Sequence, residues 1–285
     1  MRRSEGVELD GARCLVIGGA RRLGRAIALD LAAHGADVAV STRAALAEAE
    51  TTCAAIRALD RRAAVVAGDP GRAAQATALV TAAAEALGGL DALVYAASGP
   101  FRPAPPHEVQ LSDWQASFDV IARGFFVAAC AARELFVERE GAERAGGGDG
   151  GTRDAVGQSP GDESGRAAPT RGVIIALTDV LGVRPSAAFA GHGAAKAAQI
   201  MLVASLARAW GPDGVRVCGI APGPVELPGD PRAAATSRAA GRTALGRPVE
   251  PVEIARAVRF VIACDAVTGV DLAVDGGALL DRPIA

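Results

Sequence analysis

Short runs of apolar, often β-branched residues alternate along this chain with alanine-rich stretches whose apolar positions recur at helical spacing. The first pattern predicts strands at Cys14–Ile17, Val38–Ser41, Ala63–Ala67, Ala92–Tyr95, Val173–Thr178, Val215–Ile220 and Leu272–Val274. The second predicts helices over Leu23–His34, Ala44–Leu59, Arg72–Leu87, Ser112–Arg139, Gly193–Trp210 and Pro251–Ala263. Such alternation implies an α/β fold: a doubly wound, seven-stranded parallel sheet with helices on both faces and its ligand at the carboxyl ends of the strands. No internal repeat is visible. At 285 residues, half of them hydrophobic, the chain suits one large domain over residues 1–285.

Gly141–Arg171 breaks the pattern. It is rich in Gly, Asp, Ser, Pro and Arg, has almost no apolar residue, and cannot offset the entropy of its own ordering, so it is expected to be a disordered insert. Because it joins the end of a helix to the start of a strand, it belongs at the amino ends of the strands, opposite the expected ligand site. That position suits a partner-binding or merely tolerated loop.

Charge and cysteine usage narrow the function classes. A net charge of -2 argues against nucleic-acid binding. The five cysteines (Cys14, Cys53, Cys130, Cys218, Cys264) show no C-x-x-C and no paired spacing, which favours reduced, buried thiols over a disulfide frame or a metal site, and implies the cytoplasm. No early segment has signal-peptide order, and no apolar run approaches the ~18 residues of a membrane span, so a soluble protein without a membrane partner is expected. Of the 30 Lys and Arg residues only Lys196 is lysine, and Tyr95 is the only tyrosine. In a chain biased toward Ala, Gly and Arg, that lone lysine hints at a site where a compact ammonium is needed and arginine would not serve.

The stretch Cys14–Ala28 carries the first chemistry. An apolar strand enters a turn with Gly18 and Gly19, and a helix begins near Arg22 with its unpaired N–H groups and positive dipole end aimed at whatever sits above. Arg21 and Arg22 add full positive charge, so the turn is suited to phosphate, although its Gly-x5-Gly spacing is not G-x-G-x-x-G. After the second strand comes Ser41-Thr42-Arg43, where an acidic residue for ribose hydroxyls would usually stand. A basic residue there, near Arg21 or Arg22, can pair with a 2′-phosphate and selects NADP(H); the bland alternative is a solvated cap. Asp69 fits a contact with an adenine amino group, or equally begins the turn made with Pro70 and Gly71.

Several ordered motifs then share one resemblance. Ile17–Gly24 is similar to the turn T-G-x-x-[KR]-R-[LI]-G, lacking only the threonine, and Tyr95-Ala96-Ala97-Ser98 stands where N-N-A-[GS] would. Ala221-Pro222-Gly223-Pro224-Val225, Leu245–Pro248, Glu253–Ala255, Val267–Gly269 and Val274–Gly277 follow in order. The chain resembles the short-chain dehydrogenase/reductase family, and most of all its pteridine-reductase-like branch. The resemblance implies a Rossmann-type domain binding NADP(H) through Gly18, Arg21, Arg22, Leu23, Gly24, Arg43, Asp69, Ala96, Ala97, Lys196, Pro222 and Gly223. It also implies a homodimer or homotetramer packed through helices Ser112–Arg139 and Gly193–Trp210, and hydride transfer to a small carbonyl, imine or pterin-like compound. Phe101 would be either a wall of the substrate slot or a loop anchor. No pattern is recognisable in Glu226–Thr243, which should cover the substrate.

Three departures mark the catalytic group that the resemblance implies. Phe118-Asp119-Val120-Ile121 places Ile121 where the family has asparagine, Asp179 takes the serine position, and Gly191-His192-Gly193-Ala194-Ala195-Lys196 keeps the Y-x-x-x-K spacing with His192 for tyrosine. Hydride transfer to C=O or C=N needs an acid for the heteroatom, and an imidazole, unlike a phenol, can exchange a proton near neutrality unaided. An Asp179–His192 pair beside Lys196 is therefore expected to be the catalytic group. The alternative is a non-catalytic NADP(H)-binding subunit with a regulatory or partner role.

Overall fold

The computed structural model describes residues 9–99, 102–146, 170–227 and 233–280. Seven strands, β1 (Arg13–Ile17), β2 (Asp37–Thr42), β3 (Ala63–Ala67), β4 (Ala92–Tyr95), β5 (Gly172–Leu177), β6 (Val215–Pro222) and β7 (Asp271–Val274), form one sheet in the order β3-β2-β1-β4-β5-β6-β7. Every pairing is parallel. The order reverses between β1 and β4, which opens a crevice at the carboxyl ends of those strands.

Strand alternation divides the core into two layers. Cys14 and Val16 of β1 pack with Ile27 and Leu31 of α1 (Arg22–Ala33), Cys53 and Ile56 of α2 (Leu46–Arg57), and Ile254 and Val258 near the chain's end. Leu15 and Ile17 point the other way, onto Leu79 and Ala83 of α3 (Ala73–Leu87), Phe125 and Val203. Both faces are thus covered by helices, as all-parallel sheets require. The sequence pattern located every strand to within a few residues, because a buried parallel strand must be apolar along its length.

The helical stretch expected at Ser112–Arg139 is two helices, α4 (Leu111–Phe118) and α5 (Gly124–Gly146), joined by a single π-turn at Asp119–Arg123. Tyr95 explains the break. It is fully buried at the end of β4, its ring stands edge-on to Phe125 with centroids 5.7 Å apart, and its hydroxyl donates to the Val120 carbonyl inside the π-turn. Gly124 is required next to it, since a Cβ there would collide with the Pro70 carbonyl and the Tyr95 hydroxyl. One residue of extra winding leaves the hydrophobic period nearly intact, so periodicity alone reads through it.

Two other boundaries differ from expectation. The first residues of the stretch expected to be an insert, 141–146, continue α5 to Gly146, because Ala, Glu and Arg are strong helix formers and outweigh Gly141. Of the rest of that stretch, residues 147–169 lie outside the described residues, as does Phe101. Within Glu226–Thr243 the structure adds α7 (Ala233–Ala240), a short alanine-rich helix. On either side of α7 lie α6 (Ala190–Trp210) and α8 (Pro251–Ala263), the latter opened by a Glu250/Glu253 capping box with proline at its first position.

Replacing Tyr95 by Phe keeps the ring packing but strips the Val120 carbonyl of its donor. We expect a loss of about 1–3 kcal/mol in urea unfolding, and an unchanged midpoint would show that the π-turn does not depend on this bond.

Candidate active site

A cavity of about 950 Å³ opens beyond the carboxyl edge of the sheet. It is bordered by the loops after β1, β2, β3 and β4, by the ends of β5 and β6, and by the first turns of α6. Every residue that the sequence singled out for cofactor or catalysis borders this one cavity.

Its first end is built on glycine. Gly18 has φ 84° and lies against the end of β4, where an added Cβ would come within 3.1 Å of the Ala97 amide nitrogen. Gly24, one turn into α1, has no room for a Cβ, which would overlap the Gly18 carbonyl oxygen. The Gly18 amide donates to Ser41 Oγ at 3.0 Å, tying the turn to the end of β2. Between the glycines Arg22 takes φ 55°, a left-handed conformation that costs an arginine energy. Among the described residues helix α1 has no side-chain cap and no acidic residue in its first turn, and its positive end faces the cavity.

Arg21 and Arg22 are exposed at this rim. Arg43 is 69% exposed, with Nη1 3.9 Å from Asp69 Oδ2. So long and wet an ion pair contributes little, which leaves the guanidinium ready to engage an anion. Asp69 begins the turn made with Pro70 and Gly71: Oδ1 accepts from the Gly71 amide at 2.9 Å, while Oδ2 faces Arg43 and the residue borders the cavity. Ala96 and Ala97 form one wall, Pro222 and Gly223 the other.

The second end holds the titratable groups. His192, in the first turn of α6, is 6% exposed, and its Nε2 lies 3.4 Å from Asp179 Oδ2. Asp179 Oδ1 is already engaged by the Leu181 amide at 2.8 Å, which fixes the carboxylate at the mouth of the 3₁₀ turn Val180–Gly182. Lys196, one turn further, is 3% exposed and donates to the Leu177 carbonyl and to Gln199 Oε1. Burial pushes the Lys196 ammonium down to about 8, against the opposing pull of the Asp179 and Asp271 charges. Ile121 is fully buried in the π-turn and brings no polar group. A smaller cavity of about 240 Å³, walled by Trp114 and Phe189, adjoins the first through His192 and Arg102.

Sequence reasoning missed Ser41, Thr178, Gln199 and Asp271. For Gln199 a signal existed: it continues the buried face that carries His192 and Lys196 and that turns apolar beyond it with Val203 and Leu206.

Residues 12–143 match a family model described as short chain dehydrogenase, and residues 162–278 match one described as Enoyl-(Acyl carrier protein) reductase. The chain is 31% identical over 282 residues to 3beta-hydroxysteroid dehydrogenase 1 of Eggerthella lenta, covering 96% of this chain and 95% of that protein. It is 31% identical over 273 residues to cis-4-hydroxycyclohexanecarboxylate dehydrogenase of Sinomonas cyclohexanicum, covering 92% and 94%. A short chain dehydrogenase from Burkholderia cenocepacia J2315, solved in complex with NADP, matches the fold with a TM-score of 0.79 at 31% identity over 95% of this chain and 99% of that one.

The strained Arg22 backbone generates a prediction. Arg22→Gly should raise the free energy of unfolding by about 1 kcal/mol, the left-handed penalty less the extra entropy of an unfolded glycine. A lower urea midpoint would mean that the Arg22 side chain contributes more than its backbone costs.

Proposed function

The chain belongs to the short-chain dehydrogenase/reductase family of nicotinamide-dependent oxidoreductases, and from that membership we propose that it is an NADP(H)-dependent reductase of a small carbonyl or imine compound. In this reading His192 stands for the family's tyrosine and Asp179 for its serine. The observation that carries it is that the larger cavity joins the positive end of α1, ringed by three arginines, to the Asp179, His192 and Lys196 group.

The residues present fit the cofactor. Gly18, Leu23 and Gly24 would bring backbone and the α1 dipole to the pyrophosphate. Arg21, Arg22 and Arg43 would take the 2′-phosphate, Asp69 the adenine amino group, and Lys196 the nicotinamide ribose, between walls of Ala96–Ala97 and Pro222–Gly223. When bound, the cofactor supplies the hydride. His192 is the acid for the substrate heteroatom in this reading, and its Nε2 faces Asp179 Oδ2, which orients the ring while the other carboxylate oxygen is held by the Leu181 amide. The Arg21-Arg22 turn supports the pteridine-reductase-like branch and a pterin-like substrate, while the named relatives, dehydrogenases of a hydroxysteroid and of a hydroxycyclohexanecarboxylate, support a cyclic carbonyl compound. Relatives named as dehydrogenases also weigh against a non-catalytic subunit. Exposed Leu111, Trp114, Phe126 and Met201 on α4, α5 and α6 suit a homodimer or homotetramer, and five unpaired cysteines suit the cytoplasm.

Three outcomes test this reading. Calorimetry should show NADPH binding more tightly than NADH, with Arg43→Ala weakening NADPH roughly 10-fold and leaving NADH unchanged; equal losses for both would remove the 2′-phosphate assignment. NADPH affinity should fall as pH rises through about 8, because the Lys196 ammonium is charged below that pH and loses a proton and a donor above it. Against a panel of ketones, quinones and pterins, His192→Phe should lower kcat by about 10²–10⁴-fold while sparing NADPH affinity. Full turnover by His192→Phe would exclude His192 as the acid.

A further inference from the structure

Lys196 is the only lysine of the chain, and an ammonium this enclosed needs acceptors and counter-charge. Three elements face it. The Leu177 carbonyl at the end of β5 and Gln199 Oε1, 3.1 Å away and one turn along α6, accept two of its protons. Asp179 beyond β5 and Asp271 at the start of β7 bring negative charge, and His192 is the other titratable group on its own helix.

The Asp271 position is built, not incidental. Thr178 Oγ1 donates to Asp271 Oδ1 at 2.6 Å, and Thr178 itself is buried. Space for that carboxylate exists because its register partner on β6 is Gly219, where a Cβ would collide with Asp271 Oδ1. Gln199 is fully buried, yet its Nε2 makes no hydrogen bond among the described residues. Leucine would pack there without stranding a donor, so packing alone does not account for an amide.

We propose that Asp271, seated by Thr178 above Gly219, and Gln199 are positioning residues for Lys196: the carboxylate keeps the buried ammonium charged, and the amide oxygen leaves its third proton for the cavity. The consequence for cofactor binding rests on the reading of Lys196 given above, but the coupling itself does not. Burial opposes the charged form of Lys196 and the Asp271 charge supports it, while the Lys196 charge in turn offsets the burial that raises Asp271.

The lone lysine makes the test direct. Protein labelled with ¹³C at the lysine Cε gives one lysine signal, whose NMR titration is read with no cofactor present. Asp271→Asn keeps an acceptor for Thr178 and should lower the Lys196 midpoint by about one pH unit or more; Gln199→Glu should raise it, and the double variant should return it toward the parent value. NADPH affinity in Asp271→Asn should match the parent at pH 6, where the lysine is charged in both, and be lost at lower pH than in the parent. An unmoved midpoint in Asp271→Asn overturns the proposal. Should that variant fail to fold, an unmoved or lowered midpoint in Gln199→Glu overturns it equally. A midpoint that moves while NADPH affinity does not follow it supports the coupling and counts instead against Lys196 as a cofactor ligand.

Discussion

A positive charge held out of water at the carboxyl edge of a parallel sheet dictates much of what surrounds it. The Lys196 ammonium cannot be left bare in that environment, since an unpaired buried charge costs several kcal/mol. Its needs reach into β5 through the Leu177 carbonyl, into β7 through Asp271, and along α6 through Gln199. β7 is far from β5 and α6 in the chain and comes near them because the strand order sets β5, β6 and β7 side by side. A glycine at position 219 belongs to the same requirement, as it yields the space that the Asp271 carboxylate fills.

The other end of the cavity obeys a steric constraint. Helix α1 must approach β1 and β4 closely enough for its first amides to face the crevice, and this forbids a Cβ at Gly24 and crowds one at Gly18. Arg22 bears a left-handed backbone inside the same turn, a local cost tolerated where three arginines and a helix dipole converge. Strain at one end and a buried charge at the other are typical of sites whose geometry serves a ligand more than stability.

The sheet was legible because buried parallel strands are written as apolar runs, and the Cys14–Ala28 turn because its glycines and arginines lie next to one another. His192 and Lys196 were legible for a related reason: a spacing of four on one helix survives in the sequence. Tyr95 was noticed as the lone tyrosine, but its bond to Val120 bridges a strand and a π-turn, and no local pattern encodes it. Asp271 and Gln199 escaped for the same reason. Their significance arises from contacts with Thr178 and Lys196, and a carboxylate opening a short strand looks like any solvated strand end.

Deuteride transfer tests the central claim most directly. Incubation of the protein with NADPH carrying two deuteriums at the nicotinamide C4 and a panel of cyclic ketones and pterins, followed by mass spectrometry of the products, should show one deuterium gained per two-electron reduction. Tight NADPH binding with no deuterium transferred to any member of the panel would contradict the account and mark the Asp179, His192 and Lys196 group as a cofactor site without hydride chemistry.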